Sequence, residues 1–157
     1  MVAPPIWQRL LAALAYVLPW SDALPFGSAL FRMFPALSYL ALPALPLTLL
    51  TRLLPLGNLL LFFVLYLAVA RNPRVPWLIR FHVLQAILID ILLVVLGLAF
   101  EVLLQPLAGG FGFLVRTLAN TVFLGTLLLV LFGVVQSLRG QEADIPTLSD
   151  AVRMQLD

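Results

Sequence analysis

Residues 77–101, WLIRFHVLQAILIDILLVVLGLAFE, constrain this chain more than any other stretch, because an apolar run of that length has few places to go. A helix rises about 1.5 Å per residue, so residues 78–104 would extend roughly 40 Å, longer than the ~30 Å hydrocarbon core of a bilayer. The first half of the run nevertheless carries Arg80, His82, Gln85 and Asp90. A carboxylate near the bilayer centre costs about 2.5 to 3.5 kcal/mol on insertion scales, so a chain that keeps one there supplies an internal partner, a water-filled cavity or a proton. Asp90 is the first candidate functional residue.

Composition extends this reading to the whole molecule. The chain is 63% hydrophobic and 10% charged with a mean hydropathy of +1.12, against about 25% charged residues in a soluble domain. The fold class is all-α: a polytopic membrane bundle of about four transmembrane helices plus short interfacial helices, in a single integral membrane domain over 1–157. Its first partner is membrane lipid. All nine basic residues are arginines and the net charge is +2, too small and scattered for a nucleic-acid surface. The absence of cysteine excludes disulfides, iron–sulfur clusters and thiol catalysis.

Along the chain, residues 6–18 form an apolar helix too short to span, with Gln8 and Arg9 at its start and Tyr16 and Trp20 near its end. Nothing there resembles a cleavage site or an organelle leader, so the segment counts as mature structure. Pro25, Gly27 and Pro35 punctuate an aromatic connector, and residues 1–35 are expected to be interfacial or re-entrant. The helical core is 36–139. Within it, 36–54 is a span broken by Pro43 and Pro46 and packed against protein. A tight turn at 55–58 joins it to a shorter span, 56–71. Arg71, Arg74 and Arg80 place the loop 71–80 on the cytoplasmic side, and the uncharged, glycine-rich 105–112 turns on the other. Spans at 78–104 and 113–138 complete four crossings with both termini inside. The same charges also fit a crossing at 6–18 with 36–54 re-entrant.

The polar residues of the core suggest a seam. Glu101 lies eleven residues after Asp90, about 20° away around the helix, with Gly97 on the same face. Two carboxylates must point into the bundle. Asn120 or Thr121 on the last span can hydrogen-bond Asp90, and Gln85 extends the seam towards the 71–80 loop; the alternative is that the seam lines a hydrophilic path. Thr117, Thr121 and Gly125 form a small-residue stripe suited to a helix contact. His82 has no neighbour at ligand spacing, so no metal site is expected. There is no HExxH, G-x-S-x-G, P-loop or CxxC, so no catalytic residues and no cofactor are assigned and the chain is not read as an enzyme. The polar tail, 140–157, contains a cap-like Thr147–Asp150 pair and an apolar stripe of Leu148, Ala151, Val152 and Leu156. It either lies on the inner surface or docks another subunit.

Taken in order, YVLPWSDALPFGSALFRMFP (16–35), FFVLYL with Arg71-Asn72, RFHVLQAILIDI (80–91), NTVFLG (120–125) and IPTLSDAVRMQ (145–155) resemble the Tic-twenty family. These are the membrane subunits of the chloroplast inner-envelope protein import translocon and their cyanobacterial and plastid-encoded relatives. His82 stands where the family more often has Asn. The resemblance implies a multi-pass, non-enzymatic subunit of a cyanobacterial-type membrane or plastid inner envelope. It also implies work in a complex with other membrane subunits and with a translocating polypeptide. The alternative, from the residues, is a small-solute or ion channel or carrier using the polar seam.

Overall fold

The N-terminal helical run does not end before Pro19. In the computed structural model, which describes residues 3–156, the chain is helical over Ile6–Met33, 28 residues. The run consists of α1 (Ile6–Leu14), α2 (Val17–Ala23), a 3-10 turn at Leu24–Gly27 and α3 (Ser28–Met33). Pro19 has no N–H to give, and just ahead of it the backbone slips to tighter bonds: Tyr16 N donates to Ala13 O and Leu18 N to Ala15 O, both at 3.2 Å. The axis bends and α2 resumes. At about 1.5 Å per residue the run extends roughly 42 Å, enough to cross a bilayer, which corrects the expected short helix and irregular connector. Packing carries the helix through its prolines. Ala12, Tyr16, Trp20 and Ala23 are buried between α6 (Trp77–Ala99) and α7 (Ala108–Leu138), two helices that touch each other little. Glycines permit the approach to α7: the Tyr16 ring lies on Gly133, and a Cβ at Gly27 would be 2.7 Å from the Phe123 ring.

Pro35–Leu53 is also long and apolar enough to cross, but it is built as a 3-10 helix over Pro35–Ala44 followed by α4 (Leu45–Leu53). Ala44 is its one buried residue, so the expected packing against protein is confined to one side, where the broken segment rests on α2 and α3. Trp20 Nε1 donates to Leu40 O at 2.8 Å. Pro43, Pro46 and Leu47 then lie beside Leu11, Leu14 and Leu18, whereas Thr48, Thr51 and Arg52 lie beside Ser21 and Asp22. The segment therefore reverses direction against the N-terminal helix. Leu56 at φ 54° closes the turn, and Gly57, whose Cβ would strike the Thr51 backbone, opens α5 (Gly57–Phe63), which winds on as a π-helix over Val64–Ala70.

Twelve residues of α6 are buried, all within 78–93, so its first half is core while its last turns face outward. The turn after it is shorter than the glycines suggested. A 3-10 turn at Gln105–Leu107 leads into α7, which kinks at Phe111 (φ −123°, ψ 34°) amid Gly109, Gly110 and Gly112. Gly140 (φ 75°) turns the chain after α7 and lies against Pro4 and Arg9. Finally α8 (Leu148–Leu156) folds back on α6, burying Val152 and Leu156. The first and last described segments of the chain and the 71–80 loop thus share one end of the bundle.

Candidate functional site: two polar layers in an apolar bundle

At that shared end, α6 presents His82 and Gln85, both fully buried, to α1 on one side and to the tail on the other. His82 Nε2 is 2.9 Å from Gln141 O, a pure acceptor, so Nε2 carries the hydrogen and Nδ1 accepts the Tyr16 hydroxyl at 2.6 Å. Gln85 Nε2 donates to Tyr16 Oη at 3.3 Å and to Ala143 O at 3.0 Å. Ser149 Oγ accepts from Ile145 N at 2.7 Å and lies 2.8 Å from both Gln85 Oε1 and Ala143 O, donating its single hydrogen to one at a time. Thr147, the expected cap, adopts φ 69°, while Ser149 ties the tail ahead of α8 to Gln85. Outside the span, Glu142 accepts from Trp77 Nε1 at 2.6 Å and pairs with Arg153 at 2.9 Å. Burial raises the Glu142 carboxyl, but the Trp77 and Arg153 hydrogen bonds outweigh it and hold the group below its ordinary value. Arg153 also reaches Asp144 and Asp150 at 3.5 and 3.3 Å, and the Glu142 bond leads its own upward shift. The tail is used within the chain: its apolar stripe closes this core, correcting both its expected surface position and its expected docking on another subunit.

The second layer lies about halfway along α6. Asp90 is 8% exposed and its Oδ1 has no hydrogen-bond partner; the ionisable group facing it is Asp22 of α2. Asn120 Oδ1 is likewise buried and unpartnered, and the Thr121 hydroxyl donates to Thr117 O at 2.8 Å, so neither serves as the expected partner of Asp90. Asp22 also borders a cavity of about 590 Å³ shared with Arg32, Asn58, Glu101 and Arg116. An adjoining cavity of about 470 Å³, lined by Thr48, Thr51 and Arg52, shares Asp22 and Asn58 with it. None of these five charged side chains forms an ion pair among the described residues.

The predicted seam is therefore divided. Asp90 belongs to the second layer, Glu101 stands beyond the end of α6 on the wall of the cavity that Asp22 borders, and Gln85 belongs to the tail-binding layer. Thr121 and Gly125 are exposed, and a Cβ at Gly125 would meet nothing, so the small-residue stripe makes no contact within this chain. Arg71 and Arg80 face the end of α8, Arg71 Nη1 donating to Gln155 O at 3.2 Å, while Arg74 is exposed. Sequence reasoning missed Tyr16, Asp22, Arg32, Asn58 and Ser149. Asp22 was legible: once the N-terminal helix continues past Pro19, Asp22 is an acid inside a span. Among the described residues no three His, Asp or Glu side chains gather as a metal site. The geometry suits holding a polar or charged guest.

A family profile described as chloroplast import apparatus Tic20-like matches residues 2–152. The Tic20 family protein of Synechocystis sp. is 43% identical, over 95% of this chain and 92% of its own length. Protein TIC 20-II, chloroplastic, of Arabidopsis thaliana is 35% identical over 97% of this chain and 74% of its own. Protein TIC 20, chloroplastic, of Pisum sativum is 28% identical over 98% of this chain and 60% of its own.

Proposed function

This chain belongs to the chloroplast import apparatus Tic20-like family, and on that premise we propose that it is a non-enzymatic, multi-pass subunit of a protein-translocating complex. It works as one integral membrane domain, in a cyanobacterial-type membrane or plastid inner envelope, beside other membrane subunits. The family favours this reading over a small-solute or ion channel. The observation that carries it to particular residues is the joined cavity around Asp22 and Asn58, lined by Arg32, Arg52, Glu101 and Arg116. Asp22 lies well inside the N-terminal span, where a carboxylate is costly unless water or a polar guest solvates it, and the other four charges stand near the span ends around it. A hydrophilic stretch of translocating polypeptide is such a guest.

The chain contains no cysteine, which makes single-cysteine cross-linking direct. Asn58→Cys and Arg116→Cys should each form adducts with a polypeptide arrested in transit, and Thr121→Cys on the outer face should not. Adducts at Thr121→Cys alone, or equal yields at all three, would refute the assignment.

A further inference from the structure

A third cavity, of about 480 Å³, lies between α1, the prolines of the reversing segment, the α5 helix and the start of α6, and every residue lining it is apolar. Leu14 and Leu50, on its rim, are 63% and 52% exposed. All of its walls belong to membrane-embedded segments, so its mouth opens to hydrocarbon. A helix from another protein is too thick for it. At a diameter of 10–12 Å, only about 5 Å of helix length, roughly one turn, fits in that volume. A single extended hydrocarbon chain has the right cross-section. At the end of the cavity nearest the shared end of the bundle stand Val69 and Ile79, and just beyond them in sequence come Arg71, Arg74 and Arg80; Arg71 and Arg80 each give one nitrogen to a backbone carbonyl, Gln155 O and Ala70 O, and none of the three pairs with a carboxylate among the described residues. Arginines at the headgroup level attract anionic lipid.

We propose that this cavity is a lipid site, holding one acyl chain of an anionic membrane lipid from the leaflet on the side of the 71–80 loop. The lipid completes the wall that the reversing segment leaves open, standing where a neighbouring helix would otherwise cover Leu14, Leu50 and Leu61.

Native mass spectrometry tests this on the full chain in mild detergent, offered equal amounts of phosphatidylglycerol and phosphatidylcholine with identical acyl chains. One bound lipid per chain is expected, with phosphatidylglycerol favoured several-fold. Leu14→Trp and, independently, Leu50→Trp fill the cavity from exposed rim positions and should each lose the bound lipid while keeping wild-type helicity and melting. Arg71→Gln combined with Arg80→Gln should keep a lipid but lose the headgroup preference. The proposal is overturned if the wild type retains no lipid or takes both lipids equally. It is also overturned if both well-folded Trp variants retain as much as the wild type, or if cross-linking from Leu50→Cys finds another polypeptide in the cavity.

Discussion

Gln85 shows how one side chain can hold two distant parts of this chain together. It satisfies Tyr16 and Ala143 through its amide nitrogen and meets Ser149 with its oxygen. Leucine in its place removes all three of these hydrogen bonds, each worth about 0.5–1.5 kcal/mol, although Tyr16 can still donate to His82 and Ser149 to Ala143 O. Gln85→Leu should therefore lower the melting temperature in detergent and release the tail to protease, whereas a wild-type melt with a protected tail would contradict the network. Asp90 calls for the opposite expectation from its conservative change. Asp22 faces Asp90 there, and Asp90→Asn keeps the size and hydrogen-bonding capacity while removing the ionisable group. Its melting temperature should equal or exceed that of the wild type. Asp90→Leu should loosen the bundle by about 0.6–2 kcal/mol, the scale of interhelical polar contacts in membranes. A large loss of stability in Asp90→Asn would show that the charge itself holds the helices.

Between elements, close approach and charge do different jobs. α1 reaches α7 because Gly133 leaves room for the Tyr16 ring; Gly133→Ala places a methyl group in that ring and should cost about 1–3 kcal/mol, read from thermal or denaturant unfolding. The tail is held in part by charge. Because the folded Glu142 carboxyl lies below its ordinary value of 4.5, its contribution is fully present above that pH and fades as pH falls through the lower, folded value. Hydrogen exchange across residues 142–156, corrected for intrinsic rates, should accelerate on acidification below about pH 4.5 relative to the rest of the bundle. Glu142→Gln should flatten that dependence; an unchanged profile would remove Glu142 from the latch.

For the whole molecule, Gly140 beside Pro4 and Arg9, and Glu142 beside Trp77, gather the first and last described segments and the 71–80 loop at one end. With Arg71, Arg74 and Arg80 there, that end should face the cytoplasm or stroma. Cysteines placed at Arg74 and after Asp157 should react with a membrane-impermeant thiol reagent from that side together, and labelling from opposite sides would break the topology. What the sequence determined by itself was the environment and its consequences: apolar runs too long for a soluble core, arginines at one edge, and Asp90 as an acid that needs an internal setting. These are local properties, since hydropathy and charge act on each segment whatever its neighbours. Tertiary structure decided the rest. Pro19 falls in the first turn of α2, where no N–H is needed, and packing between α6 and α7 carries the helical run on to Met33. The pairings of Asp90 with Asp22 and of Gln85 with Ser149 join residues 68 and 64 positions apart. Their energies depend on which faces meet in the folded bundle, and no periodicity along the chain encodes that.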